Sequence, residues 1–179
     1  MLIALLFALL PMQEPGTAPR FEEAEVVRLE ACVYGTGAVE SCGDFREEAA
    51  TMEACAARAT LEGGAEGFLN DWRKCEEENP CFYMKPQPGQ TGLMLRHCSA
   101  RSVAVAKIIS ARWAPGVEAS LSEPEWQMLN DVRKRAFDQL ELPAESNDPM
   151  RASAWQTATW NSWLKWLRIA QLGGKTGGL

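Results

Sequence analysis

Among its 179 residues the chain has one histidine, His97, and two tyrosines. A Ser-His-Asp or Cys-His arrangement would therefore have to use His97, and no G-x-S-x-G nucleophile elbow accompanies it. A zinc site would need Cys75, Cys81, His97 and Cys98, but the C-x5-C spacing and the adjacent His-Cys pair suit a zinc finger poorly. Neither metal nor cofactor is expected. There is also no basic stripe with interleaved aromatics; with a formal net charge of −6 and a pI near 5.0, this argues against a nucleic-acid partner. No segment alternates with period two for long enough to read as a strand, and nothing is low-complexity.

What the chain does have begins at its N-terminus. The run Leu2 to Leu10 is apolar and stops at Pro11; it is short of the ~20 apolar residues a membrane span needs but has the size of a signal-peptide core. No later stretch is long and apolar enough to span either. Residues 1–18 are therefore expected to be a signal peptide and 19–179 a single helical domain, periplasmic or secreted. Six cysteines agree with export: Cys32, Cys42, Cys55, Cys75, Cys81 and Cys98 form an even set behind the leader and imply three disulfides. Six cysteines allow about 15 connectivities, so the pairing stays open. The short spacings favour Cys32–Cys42 and Cys75–Cys81 as local loops, with Cys55–Cys98 left to clip two helices.

Charge is segregated along the chain. Residues 21–80 hold 15 acids and five bases, whereas residues 151–179 hold four bases and no acid. Such an asymmetry can steer an encounter with a charged partner, or simply keep a face solvated.

Helical signals recur throughout. Residues 21–32 place apolar side chains on one face and acids near the start, and Gly35 to Gly37 stop the pattern. Asp44 reads as an N-cap for an Ala-rich helix running to Gly63-Gly64. A third helix is expected over 65–78, broken by Asn79-Pro80, and a fourth from Leu93 to the Ala114-Pro115-Gly116 stop. Ser122 and Glu125 form a capping box for a fifth, and Asp148-Pro149 open a sixth that closes at Gly173-Gly174. The fold class expected is an all-α, disulfide-stapled bundle of five or six helices.

Four of the seven tryptophans, Trp155, Trp160, Trp163 and Trp166, fall in the last helix and make it apolar over more than half its circumference. They can fill a core, or leave Trp160 exposed as an anchor for a partner; contact with a membrane surface is a weaker reading. A near-repeat also stands out, LNDWRK at 69–74 and LNDVRK at 129–134, each expected to turn its leucine to the packed side.

These residues resemble a known family. Thr91 to Met94 with Cys98, then EWQMLNDVR at 125–133, then Trp163-Leu164-Lys165-Trp166 are similar to the three short motifs of the lysozyme inhibitor LprI-like family, over roughly residues 91–168. Arg133 stands where that family carries tyrosine, and no cysteine follows the last motif. The resemblance implies an all-helical exported protein that binds a basic lysozyme-type muramidase and blocks it by steric and electrostatic occlusion, without catalytic residues. The motifs do not say which residues would enter a partner's cleft. Loop 79–92, tethered by Cys81 and carrying Phe82, Tyr83 and Met84, is the candidate contact, because a pre-organised loop loses less entropy on binding; otherwise its aromatics cover the core. Two other readings remain: an envelope structural or assembly factor docking through the Trp-rich helix, and an enzyme acting on cell-wall glycans through a carboxylate pair.

Overall fold

A computed structural model describes residues 18–141 and 148–173, the side chains of Pro80, Phe82 and residues 139–141 excepted. The expected leader apart from Ala18, the polar stop after the fifth helix and Gly174 fall outside these. The described residues form six α-helices: α1 (Glu23–Tyr34), α2 (Arg46–Ala56), α3 (Gly64–Glu77), α4 (Thr91–Ser120), α5 (Glu123–Glu141) and α6 (Pro149–Gln171). Short 3-10 turns at Val39–Ser41 and Pro80–Tyr83 join α1 to α2 and α3 to α4. The chain is all-α, as its periodicity implies.

The centre is α4, which packs against α1, α2 and α6, while α3 leans on α2 and α5 on α6. Local chemistry sets several ends. Asp44 Oδ1 accepts from Arg46 N at 3.2 Å, Ser122 N donates to Glu125 Oε2 at 2.9 Å, and Asp148 Oδ1 accepts from Met150 N at 3.0 Å with Pro149 following. Gly173, at φ +73°, takes the left-handed conformation that turns the chain out of α6. Because α5 carries the chain back, α6 runs parallel to α4: Met150 lies beside Gly92, and Thr157 Oγ1 donates to Ser99 O at 3.4 Å. Between them Val103, Ile109, Leu164 and Leu167 are buried with Phe68, Trp72 and Leu129, each removing roughly 1.5–3 kcal/mol worth of apolar surface from water.

Two helix ends depart from the sequence expectation. The Ala-rich run does not reach Gly63-Gly64: α2 stops at Ala56. Arg168 of α6 donates to Ala57 O at 2.7 Å and Ala59 O at 3.2 Å, so carbonyls beyond the helix end find a partner without another helical turn. Conversely, Ala114-Pro115-Gly116 does not close α4, which continues to Ser120. Pro115 removes one helical hydrogen bond, but Trp113 and Val117 on either side are buried, and Arg112 and Trp113 are both held by Glu53 at 2.8 and 2.7 Å. Packing overrides the local stop signal.

The disulfides are Cys32–Cys42, Cys55–Cys75 and Cys81–Cys98, with Cα separations of 5.7, 5.5 and 5.6 Å. The first matches the spacing argument; Cys75–Cys81 and Cys55–Cys98 do not form. Cys75, in the last turn of α3, faces the C-terminal end of α2, whereas the Pro80–Tyr83 turn has carried Cys81 across to α4. Helix direction outweighs proximity in sequence. Three disulfides fit an oxidising extracellular compartment, and no helix among the described residues is long and apolar enough to cross a membrane.

The charge asymmetry also changes meaning. Glu30 pairs with Arg96 at 2.5 Å, Glu53 with Arg112 at 2.8 Å and Glu76 with Lys165 at 3.1 Å, and Glu48 pairs with Arg101. Four acids of α1 to α3 are thus met by bases of α4 and α6. Part of the sequence-level imbalance is the pattern of helix-to-helix pairing, and only the remainder is a solvated acidic face. The near-repeat is likewise not one structure used twice: Leu129 is buried, but Leu69 is 45% exposed because Phe68 and Trp72 are the side chains that α3 buries.

Candidate functional site

A cavity of about 380 Å³ opens between α2, α3, α4 and α6. Its floor is apolar, made by Met52, Val105, Ala106, Leu164 and the Cys55–Cys75 bridge. Helical spacing explains the space. Ser102 and Ala106 lie one turn apart on α4, and Thr157 and Asn161 one turn apart on α6, so small side chains oppose each other and the helices meet without filling the gap. Thr51 and Asn79 add neutral polar groups.

Four carboxylates complete the lining: Glu47 and Glu48 from α2, Glu76 from α3, and Glu78 just beyond it. Among the described residues no lysine, arginine or histidine lines the cavity. Three of the acids pair with cations outside the lining: Glu48 with Arg101, Glu76 with Lys165, and Glu78 with Arg58 at 3.2 Å. Trp72 Nε1 also donates to Glu76 Oε1 at 3.1 Å, which fixes that side chain on its own helix. Glu47 is exposed and forms no ion pair among the described residues.

The loop proposed from sequence begins at the cavity rim. Asn79 Oδ1 caps the 3-10 turn by accepting from Cys81 N at 3.0 Å, while Asn79 Nδ2 donates to Ser102 Oγ at 3.3 Å in the cavity wall. Cys81–Cys98 then ties the turn to α4. Tyr83 follows at 71% exposure, and Met84 is half-buried against the small cluster of Phe21, Val26, Met94 and the disulfide. The Phe82 side chain lies outside the described residues.

Trp160 is not an exposed anchor. It is half-buried, meets Phe137 edge-on with centroids 4.7 Å apart, and has Lys107 Nζ 5.5 Å from its ring. The exposed indole is Trp155, at 52%. Trp163 is buried and Trp166 packs on the core. His97 does not reach the cavity: it is half-buried 5.2 Å from the Phe21 ring, and burial followed by the nearby Arg101 charge holds its imidazole below the usual value. The cavity therefore contains no histidine to activate a nucleophile, and its two cysteines are tied in a disulfide.

Sequence reasoning missed the cavity residues. The small pairs Ser102/Ala106 and Thr157/Asn161 are a signal, but only once α4 and α6 are known to lie side by side. Among the motif residues behind the family resemblance, Met94, Cys98, Leu129, Trp163 and Leu164 are all core positions, so those motifs speak of packing rather than of a contact surface. No family model, no curated protein and no solved structure matches this chain.

Proposed function

We propose that the chain is an exported, non-enzymatic binding protein that occludes a basic protein partner, in the manner implied by its resemblance to the LprI-like lysozyme inhibitors, with loop 79–92 as the contact. The observation that carries this is Tyr83: 71% exposed, on a segment fixed by Cys81–Cys98 on one side and by Gln90 on the other. An amphipathic ring on a pre-ordered loop binds at low entropic cost. The exposed acids of α1 to α3 that remain after helix pairing favour a basic partner and a fast encounter at low salt. Export is supported by the apolar leader and the three disulfides.

The test is binding of the oxidised chain to a basic lysozyme at low and high salt, beside the Tyr83→Ala variant. Binding that weakens with salt, and at least about tenfold with Tyr83→Ala, is the expected outcome. No binding at low salt would remove the muramidase as partner. Equal affinity of wild type and variant would remove the loop, and release of fragments from peptidoglycan would replace binding with catalysis. A second reading, docking of an envelope partner through α6, is favoured only by Trp155, and vesicle or partner binding lost in Trp155→Ala is its signature.

A further inference from the structure

We infer that the cavity between α2, α3, α4 and α6 is a binding site for a small amphipathic cation, an ammonium or guanidinium group carried on an apolar body. The sign of the lining comes first. Four carboxylates and, among the described residues, no cationic side chain line the space; Arg101, Lys165 and Arg58 meet three of the acids from outside it, which leaves Glu47 as the uncompensated charge and makes the net sign negative. Glu47 has no ion pair among the described residues, so an entering cation gains a partner without displacing one.

The floor supplies the second requirement. Met52, Val105, Ala106, Leu164 and the Cys55–Cys75 bridge offer apolar surface, and the cavity's volume of about 380 Å³ lies at the small end of ligand pockets. A hydrated inorganic cation would waste that surface, and no group of acids among the described residues converges closely enough to hold a metal ion. A ligand combining both properties uses floor and rim together. The rim is formed partly by Asn79, which also caps the 3-10 turn of the adjoining loop, but the inference does not depend on the loop binding a protein.

Calorimetric titration of the oxidised full chain with hexylamine, hexanol and hexanoate tests it, because the three share a chain and differ in charge. Saturable binding of hexylamine, weaker binding of hexanol and none of hexanoate is expected. Glu47→Gln, at an exposed position, should weaken hexylamine a few-fold. Asn161→Phe should abolish binding by filling the space; circular dichroism checks that it folds, and Glu47→Gln and the charge series decide the matter if it does not. N-acetyl-lysinamide separates the sources: if it binds too, a basic side chain presented by a partner fits the site, and if only hexylamine binds, the ligand is a free amine. Hexanoate binding as tightly as hexylamine, hexylamine binding unchanged in both variants, or no saturable binding of hexylamine would each overturn the inference.

Discussion

Gln90 holds Phe21 by both backbone groups. Its Oε1 accepts from Phe21 N at 3.0 Å, and its Nε2 donates to Phe21 O at 3.0 Å, across 69 residues of sequence. Gln87 Nε2 adds a bond to Ala18 O at 3.3 Å. The segment leading into α1 is thereby fastened to the loop before α4, and Phe21 is pressed onto the Cys81–Cys98 cluster. Gln90→Ala should cost about 1–3 kcal/mol, at 0.5–1.5 for each part-buried hydrogen bond. Denaturant unfolding gives the loss, and faster amide exchange confined to the residues around Phe21 and the loop would show where it acts.

Arg96 and Glu30 form a pair with side chains only 10% and 12% exposed, and Ser153 Oγ, also bonded to Tyr34 Oη at 2.6 Å, reaches Glu30 Oε1 at 3.1 Å. Burial pushes the Tyr34 phenol up to about 12. Arg96→Ala strands Glu30 and should cost about 3–5 kcal/mol. Replacing both partners, Arg96→Met with Glu30→Gln, should cost clearly less. Equal losses in urea unfolding would show that the charge pair is not what is being measured.

Gly116 tests the continuity of α4. A Cβ there meets nothing within 4 Å. Gly116→Ala should therefore stabilise by about 0.5–1 kcal/mol, the ordinary gain inside a helix. Were the chain to leave the helix at Ala114-Pro115-Gly116, the same change would be neutral or unfavourable, so the sign of the shift in melting temperature decides.

His97 sets a pH dependence. Burial first, then Arg101, lowers its folded-state pKa below the ordinary imidazole value, with Glu48 and Glu25 acting the other way. As pH falls below that value the unfolded chain takes up its proton first, so His97's contribution to stability is full above it and declines until the folded-state pKa is passed. His97→Gln should remove that component. If unfolding midpoints at neutral and mildly acidic pH drop equally in variant and wild type, the imidazole is not responsible.

The disulfide pairing is open to direct mapping. Peptides from the unreduced protein should be joined as Cys32–Cys42, Cys55–Cys75 and Cys81–Cys98, and a Cys75–Cys81 peptide would contradict the arrangement of α3 against α2. Replacing Cys81 and Cys98 together by serine should cost about 2–5 kcal/mol. It should also loosen the Tyr83 segment, visible as faster amide exchange between residues 79 and 90.

The helical class, the starts of α5 and α6 and the end of α6 were readable because their signals act within one turn: Ser122 with Glu125, Asp148 with Pro149, and the left-handed turn at Gly173. The number of bridges was readable for a different reason: an even cysteine count does not depend on geometry. The tertiary structure decided everything that depends on contacts across many residues. It ended α2 early through Arg168, which lies 111 residues from Ala57, and carried α4 through Pro115 because Trp113 and Val117 are buried. It chose the cysteine partners, and it set part of the acidic N-terminal half against bases of α4 and α6. The cavity belongs with these. Ser102, Ala106, Thr157 and Asn161 are unremarked small and polar residues in the sequence, and they enclose a space only because a returning α5 lays α6 parallel to α4.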